Sequence, residues 1–211
     1  LICGYRGWHA QWAVLRGLRG IPEALQDLTF GFEYNDLDSL RTALEAHPDQ
    51  VAAVIIDPVA RHAPQPGFLK GVKELTHQHG AILIFDEIVT GFRVAQGGAQ
   101  EYYDVVPDMG VFAKGIANGM PLSAVTGPRE IMQAGDAISL TYGDEALSLA
   151  AAKAALTVQL EHDVSGHIWR MGTALQKGIQ AAIEETGVPF ELTAIPPMLA
   201  FVESGQFHAQ A

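Results

Sequence analysis

The stretch Ala81–Arg93 reads AILIFDEIVTGFR, and its first seven residues decide how the chain is built. AILIF is an apolar run of strand length, suited to a fully buried strand in a parallel sheet. Two carboxylates, Asp86 and Glu87, then arrive where that strand ends. Acid at the mouth of an apolar sheet is costly unless something pairs with it. The question is what that partner is.

Working outward, strands and helices alternate. Val51–Ile56 (VAAVII) reads as a second buried strand. Between the two runs, Pro66–His79 is a helix whose Leu69, Val72 and Leu75 form a stripe, ended by Gly80. This is a strand–helix–strand unit, which predicts parallel strands and a right-handed crossover. Upstream, Leu37–His47 is helical, with Asp36 as N-cap and Leu37, Leu40 and Leu44 on one face. Downstream, Met109–Ala113 and Leu122–Thr126 are two more strands. Only KGIANGMP separates them, too short for a helical crossover, so the later strand is expected to run antiparallel. Glu145–Glu161 is an alanine-rich helix. Val164–Thr186 is another, with Ile168, Met171, Leu175 and Ile179 at helical spacing and Gly187 closing it. Phe190–Leu192 and Met198–Glu203 read as short strands of a different kind, parted by TAIPP. The fold class is α/β, a mixed, mostly parallel sheet flanked by helices over residues 1–163. The start of a small α+β domain is expected over residues 164–211.

Composition narrows the function. The chain has 211 residues, 48% apolar and 18% charged, enough for a sizeable core and too apolar for disorder. A net charge of −11 with no basic cluster excludes a nucleic-acid footprint. No apolar run reaches the ~18 residues of a membrane span. A single cysteine, Cys3, suits a reducing compartment such as the cytoplasm. The chain opens without methionine on LICGY, the tail of a strand, and stops in GQFHAQA just after an apolar segment. A piece of a longer protein is the expectation.

In an open α/β sheet, ligands sit beyond the carboxyl ends of the strands. Asp57, Asp86 and Lys114 each follow an apolar strand in this way. Lys114 sits between a buried strand and a glycine-rich turn, where an unpaired lysine is costly and a Schiff-base lysine is useful. Taken alone, a lysine reaching solvent is the commoner outcome. Asp86 is the matching half. Pyridoxal phosphate acts as an electron sink while its ring nitrogen stays protonated, and a buried carboxylate facing that nitrogen keeps it so. Glu87 is then free to point elsewhere, to a salt bridge or a helix start, and Ile88 offers an apolar cushion for one ring face.

Four ordered blocks carry a family resemblance: GYRGWH (Gly4–His9), IFDEIVTGFR (Ile84–Arg93), PDMGVFAKGIANGMPLSAVTG (Pro107–Gly127) and TYGDEALSLAAAKAAL (Thr141–Leu156). The chain resembles the class III pyridoxal-phosphate aminotransferases, and among them the glutamate-1-semialdehyde 2,1-aminomutase group. The resemblance implies a fold-type I architecture, pyridoxal 5'-phosphate as cofactor and a homodimer with sites at the interface. It also implies small-molecule amino donors and acceptors. Position by position it implies that Lys114 bonds the cofactor, Asp86 holds the pyridine nitrogen and Ile88 lies under the ring. Tyr5 would stack over the ring, and Thr141 would reach the cofactor phosphate of the neighbouring subunit. Nothing in these blocks separates an aminomutase from a transaminase.

The chain also departs from the pattern. Arg6 stands where the family commonly has His, and Asp57–Pro58 where it commonly has Glu-Pro. The segment VARHAPQPGF lacks the polar amide that reaches the cofactor's phenolic oxygen; His62 is a candidate substitute or a solvated loop residue. The glycine- and serine-rich phosphate-binding segment should precede Leu1, and QGGAQ (Gln96–Gln100) reads as a loop. Trp8, His9 and Trp12 line a pocket entrance or simply pack. Arg61 and Arg93 greet a substrate carboxylate or pair at the surface. Tyr102 and Tyr103 are expected to pack the loop before the lysine strand. The histidines show no metal-site spacing, so no metal is assigned. Two other readings compete with the aminotransferase one: a non-catalytic remnant that keeps the fold and dimer surface for interaction or structure, and a different α/β enzyme such as a nucleotide binder. The second lacks both a G-x-G-x-x-G after a strand and a P-loop.

Overall fold

The computed structural model describes residues 2–3, 22–135, 142–143 and 145–203. In chain order these form β1 (Ile2–Cys3), α1 (Glu23–Gln26), β2 (Phe30–Gly31), α2 (Leu37–Glu45), β3 (Ala53–Ile56), α3 (Phe68–Gln78) and β4 (Ile82–Asp86). There follow α4 (Ala99–Tyr102), β5 (Met109–Phe112), β6 (Ala124–Thr126), α5 (Arg129–Met132), α6 (Ala146–Glu161), α7 (Val164–Thr186), β7 (Phe190–Thr193) and β8 (Ala200–Glu203). The expected elements are present, with ends shifted by no more than two residues.

One sheet has six strands in the order β2–β1–β3–β4–β5–β6. Strands β1 to β5 are parallel to their neighbours, and β6 alone turns back along β5, as the short connection between them requires. Phe30–Gly31 carries no strand signal in the sequence, because two residues are too few to show a period. β7 and β8 form a separate antiparallel pair, with Ala194 in a left-handed conformation just past β7.

Helices α2 and α3 cover one face of this sheet. Asp36 caps α2, accepting from the Asp38 and Ser39 amides at 3.0 Å. Leu40 and Leu44 of α2 pack with Phe68, Leu69, Val72 and Leu75 of α3 over Val54, Ile56, Leu83 and Phe85 of the sheet. Leu40, Val72 and Leu83 are fully inaccessible, and each such side chain contributes about 2 kcal/mol. The opposite face differs from expectation. β3 is buried throughout, but β4 alternates: Leu83 and Phe85 are buried while Ile82 and Ile84 are half-buried. AILIF is therefore a strand with one fully buried face, not two.

The C-terminal stretch docks near the ends of β3 and β4. Ile195 packs with Val59, Val94 and Ala99, and the Trp169 indole N–H donates to the Val94 carbonyl at 2.8 Å. Arg93, itself exposed, donates to the Pro197 carbonyl at 3.1 Å, a link to the C-terminal stretch in place of the expected surface pairing. Gly172 permits this docking, because a Cβ there would sit 2.1 Å from the Pro196 carbonyl oxygen. The Val164–Thr186 stripe behaves otherwise than its pattern suggests. Met171 and Leu175 are more than half exposed, and α7 has no buried residue among those described.

Candidate active site

β3 and β4 pair in register, with Ile56 opposite Phe85. The next residue on each strand is an aspartate, so Asp57 and Asp86 are neighbours on the sheet face away from α2 and α3. Asp86 in turn pairs with Val111 of β5, three residues before Lys114. The three polar residues picked out at strand ends thus converge along one edge.

Asp86 is buried, and its Oδ1 accepts from the Ile88 amide at 3.0 Å, which fixes the carboxylate's orientation. Ile88 itself is half-buried. Asp57 is as deeply buried as Asp86, and burial followed by the negative charge of Asp86 pushes its carboxyl well above the usual carboxylate range. The Val59 amide and, more weakly, Lys114 pull the other way. Lys114 therefore acts on Asp57 through its charge, the weakest of these influences. Tyr34 braces the turn after β3, donating from its hydroxyl to the Pro58 carbonyl at 2.9 Å and meeting Phe68 edge-on. Asn35 holds the same loop further along, between the Ala63 carbonyl and the Gln65 amide.

Lys114 opens a single 3-10 turn, Lys114–Ile116, immediately after β5. Its φ is +46°, a left-handed conformation that costs a non-glycine residue free energy and tends to occur where function demands it. The side chain is exposed. The desolvation argument made from sequence therefore does not hold for this chain: the lysine is placed by a backbone bend, not trapped in an apolar wall.

Glu87 points elsewhere, as expected, and the helix-start alternative is the correct one. Fully buried, it accepts from the Ala99 and Gln100 amides at 2.8 Å and from the Thr90 hydroxyl, capping α4. Burial raises its carboxyl's affinity for the proton, and these donors oppose that rise. QGGAQ is thus the receptor of this cap as well as a loop. Gly98, at φ +84°, is required there because a Cβ would meet the Glu87 carboxylate at 2.5 Å.

Tyr5, Arg6, Trp8, His9, Trp12 and Thr141 lie outside the described residues. His62 and Arg61 are exposed. Among the described residues no group of three His, Cys, Asp or Glu side chains is arranged to hold a metal ion, and no helix is long and apolar enough to cross a membrane. The role that sequence left open is that of Asp57. Its signal was present: the acid follows VAAVII at the same register at which Asp86 follows AILIF.

With this geometry in view, comparison with known proteins identifies the class. The family model "Aminotransferase class-III" matches residues 19–201. The chain belongs to that family. It is 36% identical over 204 residues to 3-aminobutyryl-CoA aminotransferase of Cloacimonas acidaminovorans, covering 92% of this chain and 49% of the relative. It is 39% identical over 189 residues to glutamate-1-semialdehyde 2,1-aminomutase 2 of Brevibacillus brevis, covering 85% and 44%. The PLP internal aldimine form of the FumI protein of Sphingopyxis sp. MTA144 superposes with a TM-score of 0.86 at 25% identity, covering 97% of this chain and 52% of that one. The chain spans about half the length of the relatives it matches. The fold is that of the pyridoxal-phosphate-dependent transaminases, and pyridoxal phosphate is the cofactor that goes with it.

The described residues fit that cofactor. A buried acid with a fixed carboxylate stands at a strand end, an amine stands in the turn after the next strand, and a buried Asp57 oxygen, on an acid that this amine influences, has no hydrogen-bond partner. A protonated pyridine and an aldehyde suit that set of groups.

Proposed function

We propose that the full-length protein moves amino groups between small-molecule donors and acceptors, with Lys114 and Asp86 at the centre of the chemistry. The observation that carries this reading is their convergence beyond β4 and β5, on a lysine whose backbone is held left-handed. Bound pyridoxal phosphate supplies the electron sink that makes the substrate's C–H bond acidic. Asp86 holds a proton on the ring nitrogen. Lys114 Nζ would hold the cofactor at rest and would serve as the group that moves a proton at the substrate carbon. Ile88, Tyr5 and Thr141 would complete the set that holds the cofactor, Ile88 and Tyr5 against its ring and Thr141 at its phosphate. Their assignment rests on the sequence blocks.

Two relatives at similar identity, one named an aminotransferase and one an aminomutase, support amino transfer as the common chemistry. Within it, we favour the glutamate-1-semialdehyde 2,1-aminomutase-like branch on the block resemblance. A homodimer with interfacial sites, a cytoplasmic location and a smaller second domain from residue 164 belong to the same proposal. The separate β7–β8 sheet supports that boundary. The test is Lys114→Ala in the full-length protein. The visible absorbance of the bound cofactor, its fixation by borohydride and the activity should all disappear. A variant that keeps a borohydride-fixable colour overturns the assignment.

A further inference from the structure

Lys114, at φ +46°, shares its left-handed backbone with Phe92, at φ +59°. For a bulky residue such as Phe92 that conformation is strained, and it persists only where the neighbours over-determine it. Those neighbours are identifiable. The Gly91 amide donates to the Glu87 carbonyl at 2.8 Å, and a Cβ on Gly91 would collide with that carbonyl and with the Phe112 ring. The Phe92 ring lies tilted on Phe112 at 5.7 Å, and its carbonyl accepts from the Gln159 side-chain amide of α6 at 3.0 Å. The two bends meet. A Cβ on Gly115, the residue after Lys114, would lie 3.2 Å from the Gly91 carbonyl oxygen and 3.2 Å from the Phe92 Cβ, closer than ordinary packing. Gly115 is therefore seated on the backbone of residues 91–92, and Phe92 packs in one cluster with Ile116, Ala117 and Ala152. Past this seat the turn closes on itself, the Ala117 and Asn118 amides donating to the Lys114 carbonyl at 3.3 and 2.9 Å.

We propose that Phe92, latched by Gln159, is a positioning residue for Lys114: its left-handed bend is the stop on which the lysine's turn rests. The proposal rests on the amino-transfer reading and deepens it. The Lys114 side chain is exposed, so no apolar wall steers its amine. Its direction is set instead by where the chain leaves the backbone, and that point is fixed by Gly115 against Phe92. A long side chain that starts from a fixed point has less freedom to lose when its amine meets an aldehyde.

The test uses the full-length protein freed of cofactor. Gln159→Leu removes the donor and keeps the volume; Gln159→Arg restores a donor of similar reach. Thr76→Val, which loses the buried hydrogen bond from Thr76 to the Val72 carbonyl within α3, is the control for a general loss of stability. When pyridoxal phosphate is added, borohydride-fixable colour should form about tenfold more slowly in Gln159→Leu, while Gln159→Arg and Thr76→Val keep the wild-type rate. Before it is added, hydrogen exchange at the Ala117 and Asn118 amides should quicken in Gln159→Leu and stay unchanged in Thr76→Val. Phe92→Gly, which relaxes the bend and removes the ring, should slow the colour and loosen the turn in the same way, and it decides the matter if Gln159→Leu does not fold. Wild-type rates in Gln159→Leu or in Phe92→Gly, or equal slowing in Thr76→Val, would overturn the proposal. If wild type itself forms no borohydride-fixable colour, the amino-transfer reading fails instead, and the exchange comparison still decides whether Phe92 and Gln159 hold the turn.

Discussion

Glu87 shows how two adjacent acids divide their tasks. Asp86 and Glu87 differ by one position in a strand end, so one faces the candidate site and the other runs into the loop that follows. There Glu87 satisfies two amides at the start of α4 and the Thr90 hydroxyl, with Ala99 and Thr90 fully buried and Gln100 partly so. Replacing it by alanine strands these donors, each costing about 1 kcal/mol or more, and opens a cavity. Glu87→Ala should lose about 3 kcal/mol in denaturant unfolding, and Glu87→Gln, which keeps one acceptor, about half of that. Equal loss in both would mean that the negative charge itself is what α4 requires. From the sequence, a DE pair at a strand end announces acids; which of them faces the ligand is settled by where the backbone turns.

At the scale of elements, Asp108 ties three of them together. Its Oδ2 accepts from the Leu83 amide of β4 at 2.7 Å and from the His77 ring of α3 at 2.8 Å, one residue before β5 begins. Burial pulls its carboxyl upward, but the Leu83 amide and His77 outweigh that and hold it below the usual carboxylate value. A depressed folded pKa means stability that is present above the unfolded value, near pH 4, and is lost as pH falls through the folded one. Asp108→Asn should cost about 1 kcal/mol at neutral pH, a figure kept small because the pair is partly solvated. The difference from wild type should vanish in acid; a constant difference across pH would show that the charge is not what matters. The helix and strand periods were legible because α2, α3, β3 and β4 each bury a continuous face. This clasp was not, since 31 residues separate His77 from Asp108.

At the scale of the whole molecule, α7 is held to the large sheet through few contacts. Trp169 stacks on Tyr102 at 5.1 Å and donates to Val94, while Ile195 and Arg93 secure the turn that follows α7. Tyr102 and Tyr103 thus pack the loop before β5, as expected, and Tyr102 also receives α7. Trp169→Ala should cost about 2 kcal/mol, less than a fully buried tryptophan would, because the side chain is half-buried. Hydrogen exchange should then speed up across β7 and β8 while the six-stranded sheet keeps its protection. Equal acceleration in both would show that the two parts unfold together.

The amino-acid sequence by itself determined the alternation of strands and helices, the single reversed strand, the family and the placing of Asp86 and Lys114 at the ends of neighbouring strands. Each of these follows from local periodicity, from a connection too short to cross over, or from residues at the ends of runs. Only the tertiary structure decided that Lys114 is exposed and bent into place, that Glu87 caps α4, and that Asp57 stands beside Asp86 with an oxygen left over. The reason is physical: register between strands, burial and the pairing of polar atoms arise from residues distant in the chain, and no window along it contains them.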